Sequence, residues 1–214
     1  TIVIDVDFGP TNFGERWGPQ ILGSTSPQEV TSNAYGAGRA QLIAGASDDQ
    51  ERAIFNSLPP GTIPTNIGST TIMKAPTANA RALGLLDPVA DPDGREKNLG
   101  RPPSIGFNNT VGFDFDPRNG IDANKVDFEA VAVHEIGHAL GFMSSAGDAQ
   151  LSLSVWDLFR VRPGTQGDAF ATAPRILTFG GEPMFSAAGL EVPVSTGPTN
   201  RGGDGRSVWH WKDD

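Results

Sequence analysis

The stretch that most constrains the fold of this chain is VAVHEIGHALGF, residues 131–142. It places His134 and His138 four residues apart, which is about 40° around an α-helix, so both imidazole rings can face one ion. The flanking residues are apolar and uncharged. Two histidines and Glu135 on such a helix would be costly to bury without a partner such as a metal. The stretch therefore predicts a helix that carries two metal ligands.

The residue types in this stretch favour a catalytic zinc site. Zinc accepts neutral imidazole, and a catalytic zinc is held by three protein ligands with water at the open position. Glu135 follows the first ligand directly and can reach that water as a general base. The stretch thus supplies two ligands and a base, and a third ligand must come from another part of the chain.

The residues around the motif set the bounds of the helix at about 127–141. Asp127 is placed to cap the N-terminus, and Glu129 in the first turn favours the helix dipole. Gly141 is placed to end the helix in a left-handed conformation, which would turn the chain sharply into a second region. We therefore expect an N-terminal catalytic subdomain, residues 1–141, and a C-terminal subdomain or insertion, residues 142–214, that supplies the third ligand.

His210 is the preferred third ligand. The chain has three histidines, and His210 is the one outside the motif. Trp209 and Trp211 flank it and could bury and orient its ring. Three downstream carboxylates stay open as alternatives: Asp148, Asp157 and Glu182.

The pattern from His134 to Gly141, H-E-x-x-H-x-x-G, resembles the metzincin clan of zinc metalloproteases. The compact clan pattern has a third histidine where this chain has Ser144, so the long separation before His210 is similar to the leishmanolysin subset. The segments FDFDPRNGID, WDLFR and GDGR…HWKDD resemble a family of exported bacterial metalloproteases over roughly residues 75–214.

This resemblance implies an α+β metzincin-like fold with a small twisted sheet, an active-site helix and an irregular, β-containing C-terminal subdomain. It also implies a secreted or periplasmic zinc endopeptidase that acts on protein or peptide substrates. In this clan an edge strand upstream of the helix binds the substrate, a role that would fall to Gly106, Phe107 and Asn108. The clan's methionine turn follows the third histidine, whereas Met73, Met143 and Met184 all precede His210, so we expect a truncated or processed chain.

Composition and charge limit the partners. The net charge of −9 argues against nucleic acid or an anionic membrane surface. No apolar run approaches the roughly 18 residues of a membrane span. The absence of cysteine excludes disulfides and thiolate ligands. Asp87, Asp91 and Asp93 are interpreted as solvated turn carboxylates in preference to a calcium loop.

A second acidic group precedes the zinc helix, and two interpretations of it stay open. Its members could hold calcium through oxygen ligands, or they could form a turn that bonds its own backbone. They are Asp114, Asp116, Asn119 and Asp122.

Two other functions remain as alternatives to the endopeptidase. One is a gluzincin-like or aspzincin-like zinc hydrolase with a carboxylate as third ligand. The other is a non-catalytic secreted module that binds metal at a surface.

The remaining pattern predicts further elements. Alternation over residues 1–8 predicts a half-buried strand with Ile2, Ile4, Val6 and Phe8 on one face. A capping box at Ser26–Glu29 predicts a helix over about 27–44. A second helix is expected to end near Leu58, and strands are expected at 67–74, 104–108, 111–115, 175–180, 183–187 and 190–195.

Overall fold

The structure is a computed structural model that describes residues 2–27, 29–32, 35–85 and 103–211. Within these residues it is a mixed α+β protein, which confirms the predicted class. The four α-helices are α1 (Tyr35–Ala44), α2 (Asp49–Asn56), α3 (Thr77–Ala82) and α4 (Phe128–Leu140). The strands are β1 (Asp5–Gly9), β2 (Gly23–Ser26), β3 (Glu29–Ser32), β4 (Ile63–Thr65), β5 (Gly68–Thr70), β6 (Met73–Pro76), β7 (Ser104–Asn108), β8 (Phe113–Asp114), β9 (Val126–Asp127), β10 (Arg160–Val161), β11 (Met184–Ala187) and β12 (Leu190–Pro193).

The chain divides into two compact units. The first comprises Thr1–Glu29, Pro76–Asn79 and Asp87–Gly141. The second comprises Val30–Ala75, Ala80–Leu86 and Phe142–Asp214. The chain thus leaves the first unit directly after the helix that contains the histidine pair.

A three-stranded sheet supports α4 in the first unit. β7 is its central strand, parallel to β1 and antiparallel to β2. Ile105 and Phe107 of β7 and Ala139 of α4 are buried together, and Phe128 and Val131 pack against them. Burial of this apolar face holds the helix against the sheet, because removing apolar surface from water contributes about 25 cal/mol per Å².

The second unit has the larger core. It is built around residues such as Tyr35, Leu58, Ile63, Leu153 and Leu158. Antiparallel β10, β11 and β12 form its main sheet, and β4 pairs with β5. A 3₁₀ helix, Trp156–Phe159, leads into β10.

Several predicted elements differ in detail. The strand expected over 67–74 is two strands, β5 and β6, and residues 175–180 form no strand. The predicted helix over 27–44 starts only at Tyr35, because the Ser, Thr and Val residues before it form the strands β2 and β3. The apolar face of β1 is only partly covered: the Phe8 ring packs against those of Phe113, Phe115 and Phe128 but is 48% exposed, and Val6 is 63% exposed. Alternation identified the two faces of this edge strand, and the apolar face is less buried than the pattern predicts.

Candidate metal centre

Helix α4 is defined by the two capping residues that the sequence predicted. The Asp127 carboxylate accepts hydrogen bonds from the backbone N–H groups of Glu129 (2.8 Å) and Ala130 (3.2 Å). Gly141 has a φ of +115° and donates its N–H to the His138 carbonyl. A side chain at this position would also approach Asn79 within 3.3 Å. The ends of α4 are therefore specified locally, and they fix where the histidines lie.

His134 and His138 direct their Nε2 atoms towards the same point. The two Nε2 atoms are 3.1 Å apart, and the ring planes are perpendicular. Tetrahedral zinc at about 2.0–2.1 Å from each nitrogen would separate two such atoms by about 3.4 Å. The observed separation is close to that value, so the histidine pair fits a tetrahedral metal ion.

His210 joins this pair. The three histidines can each offer one ring nitrogen, and these atoms all lie within 4.8 Å of one another. Among the described ranges, this is the group of three or more metal-binding side chains that the structure brings together. The three histidines could hold a metal ion.

Glu135 is buried on the sheet side of α4 and is 6% exposed. The Thr25 hydroxyl lies 2.6 Å from Glu135 Oε2 and 2.9 Å from the Glu135 carbonyl oxygen, and it can donate to either. Gly23 of β2 lies so close that an added Cβ would be 2.9 Å from Glu135 Cγ and Oε1. The carboxylate is therefore held in one place by a hydroxyl and by a residue with no side chain.

Sequence reasoning missed both Thr25 and Gly23. Thr25 lies 110 residues before Glu135, and no motif connects the two positions. The signal that could have found them is indirect. A Gly-x-Thr strand leaves room for a neighbouring side chain and offers it one hydroxyl, but many strands have this composition.

The predicted substrate strand does not lie at a sheet edge. Gly106, Phe107 and Asn108 belong to β7, which is hydrogen-bonded to β1 on one side and β2 on the other. All three residues are buried. The prediction of an edge strand here is wrong, because the N-terminal segment supplies two partner strands that the local sequence of β7 does not indicate.

The acidic group before α4 is satisfied by its own turn. The Asp114 carboxylate accepts hydrogen bonds from the backbone N–H groups of Asp122 (2.9 Å) and Asp116 (3.0 Å). Both bonds lower the pKa of the Asp114 carboxyl, and the bond from Asp122 has the larger effect. Asp116 pairs with Arg118, and Asp122 pairs with Lys125. The fourth member, Asn119, lies in the 3₁₀ turn that Asp116 caps. The described residues thus support the turn interpretation, and they do not bring these side chains together as a metal site. Asp87, Asp91 and Asp93 lie outside the described residues.

The carboxylates considered as alternative ligands have other roles. Asp148 forms an ion pair with Lys74 at 2.7 Å. Asp157 is fully buried and accepts hydrogen bonds from three residues of its own unit. Neither these two nor Glu182 belongs to the histidine group.

No protein-family model, no curated protein and no solved structure matches this chain. Among the described helices, none has the length and apolar character needed to cross a membrane. The assignment of a function therefore rests on the residues of the site.

Proposed function

We propose that this chain is a zinc-dependent endopeptidase in which His134, His138 and His210 hold the metal and Glu135 is the general base. The observation that carries the proposal is the convergence of three imidazoles beside a helix that also contains Glu135. Three neutral nitrogen ligands with no thiolate suit zinc. The resemblance of the motif to the metzincin clan supports the same chemistry and an exported location.

Each residue then has a distinct role in hydrolysis. A zinc ion, when bound, supplies a Lewis acid that polarises the scissile carbonyl and lowers the pKa of a water molecule towards about 7. Glu135 accepts the proton of the attacking water and passes it to the leaving amine. When the Thr25 hydroxyl donates to Oε2, its shorter contact, Oε1 is the oxygen left to take the proton.

We place the extended substrate on β2. Within the described part of the chain, β2 pairs with β7 along one side and forms one edge of the sheet. It also borders the general base through Gly23. A peptide that adds to this edge would be recognised mainly through its backbone, which gives broad side-chain specificity.

The test combines metal analysis with peptide cleavage on the full chain. We expect one zinc per wild-type molecule and cleavage of an unstructured protein substrate. Glu135→Gln should keep the zinc and lose about 10²–10⁴-fold in rate, the usual contribution of a general base. His210→Ala should lose zinc affinity, whereas Asp148→Ala should not.

Two outcomes would contradict the proposal. Full zinc retention by His210→Ala would favour a zinc hydrolase with a carboxylate ligand. A zinc-loaded wild-type chain that cleaves no peptide or protein would favour a non-catalytic metal-binding module.

A further inference from the structure

The segment Trp156–Arg160, here called the anchor segment, buries two opposite charges. Asp157 and Arg160 are both 0% exposed. Burying a carboxylate and a guanidinium is unfavourable unless their polar atoms are hydrogen-bonded. The partners of these two side chains therefore indicate what the segment does.

Asp157 holds the chain just beyond the histidine helix. Its carboxylate accepts hydrogen bonds from the Ser144 hydroxyl (2.5 Å) and the Ser145 backbone N–H (2.7 Å). It also accepts from the backbone N–H of Ser154 at 3.0 Å. Ser144 and Ser145 follow closely after Gly141, so Asp157 fixes the path of the chain where it leaves α4.

Trp209 attaches the His210 segment to this same place. Its indole N–H donates to the Ser144 carbonyl oxygen at 2.7 Å. Ser144 is thus held through its hydroxyl by Asp157 and through its carbonyl by the residue directly before His210.

Arg160 supports the His210 segment from a second direction. Its guanidinium donates to the carbonyl oxygens of Ile176 (3.0 Å) and Ser195 (2.9 Å). Ser195 in turn donates its backbone N–H to the His210 carbonyl at 3.0 Å and its hydroxyl to the Trp211 carbonyl at 2.9 Å. The backbone of His210 is therefore bonded to a residue that a buried arginine holds in place.

Ring packing adds to these hydrogen bonds. The Trp211 ring lies 5.3 Å from Phe142 and 4.7 Å from Trp156, centroid to centroid. Phe142 directly follows Gly141. The residue after His210 thus packs on the residue after the histidine helix and on the anchor segment itself.

We propose that Asp157 and Arg160 are positioning residues which, through Ser144–Trp209 and Ser195, present His210 as the third metal ligand. This inference rests on the proposed role of His210. It explains why two charged side chains are fully buried here, although apolar packing does not require them. Residues that orient metal ligands through hydrogen bonds usually change metal affinity by about 10–100-fold when they are replaced.

The primary test compares two Trp→Phe variants of the full chain. Trp209→Phe removes the indole N–H that bonds Ser144. Trp17→Phe is the matched control, because it removes an indole N–H that donates to a carbonyl oxygen in the same way, that of Gly9 at 3.1 Å, but in the first unit and outside the anchor segment. Zinc affinity is measured by competition with a chromophoric chelator, and circular dichroism verifies folding. We expect Trp209→Phe to bind zinc about 10–100-fold more weakly and Trp17→Phe to match the wild type.

A second measurement needs no metal. The chain has three histidines, so its imidazole NMR signals can be assigned by single substitutions. In zinc-free protein, Trp209→Phe and Asp157→Asn should shift or broaden the His210 signals more than those of His134 and His138. Trp17→Phe should leave the His210 signals in place.

The outcomes separate this inference from the proposed function. If Trp209→Phe keeps both its zinc affinity and the His210 signals of the wild type, the positioning role is refuted. Equal effects of Trp209→Phe and Trp17→Phe would also refute it. A wild-type chain that binds no zinc would refute the proposed function, and the His210 signals would then decide the positioning role.

Discussion

Gly23→Ala is the substitution that best isolates the proposed general base. The added Cβ would lie 2.9 Å from Cγ and Oε1 of Glu135 and 3.2 Å from Cδ. Real Cβ atoms essentially never approach so closely. The backbone of β2 is paired to β7 across its length, so the Glu135 side chain is the group that must move. His134 and His138 depend on α4 and should stay in place.

The structure gives the size of the expected effects. Moving the carboxylate breaks the 2.6 Å hydrogen bond from Thr25. A hydrogen bond to a charged group contributes about 1.5–3 kcal/mol, so the free energy of unfolding should fall by about that amount. A reacting group misplaced by about 1 Å can lose about 100-fold in rate, so kcat/KM should fall by that order.

Three measurements on purified protein test this prediction: urea denaturation, zinc content and peptide hydrolysis. Gly61→Ala is the matched control, because nothing lies within 4 Å of its added Cβ. A Gly23→Ala variant with wild-type activity and stability would refute the proposed contact between Gly23 and the general base. Loss of zinc in parallel with activity would also refute it, since the substitution would then act on the ligands and not on Glu135.

Three further predictions concern ionisation and stability. Burial raises the pKa of Tyr35, the single tyrosine, to about 12. The ultraviolet absorbance of tyrosinate should therefore titrate near pH 12 in folded protein and near pH 10 in urea. The stability that neutral Tyr35 contributes is lost as pH rises through this window. The pKa of Asp114 is lowered, so the stability that its carboxylate contributes is lost as pH falls through the pKa of the folded state. The free energy of unfolding of Asp114→Asn should therefore fall less steeply with acidification than that of the wild type. An equal fall in both proteins would contradict this prediction. Arg175→Met should lower the free energy of unfolding by about 3 kcal/mol, because the carbonyl groups of Leu158 and Phe170 lose their hydrogen-bond donor. An unchanged urea midpoint would exclude a stabilising role for these hydrogen bonds.

The local parts of the site could be predicted from sequence. Asp127, His134, His138 and Gly141 all act within α4, where spacing determines direction and capping residues determine the ends. The helical period places the two rings together without any knowledge of the rest of the fold. For this reason the predicted caps are confirmed and the histidine pair converges as expected.

The long-range parts could not be predicted in this way. The partners of β7 come from the N-terminal segment, and no property of residues 104–108 indicates that both of its sides are paired. The capping box at Ser26 is a local signal too, but pairing of β2 with β7 prevails over it. Thr25 and Gly23 acquire their roles only because that pairing brings β2 beside Glu135.

The proposed site therefore depends on three separate parts of the chain, and substitutions in each part should change activity and zinc binding differently. The histidine pair depends on α4, Glu135 depends on β2, and His210 depends on the anchor segment. A change at Gly23 should remove activity and keep zinc, whereas a change at Trp209 should weaken zinc binding. Replacement of His138 should abolish both activity and zinc binding, because it removes a ligand itself. A single variant that mixed these effects, such as Gly23→Ala with weakened zinc binding, would contradict the independence of the three parts.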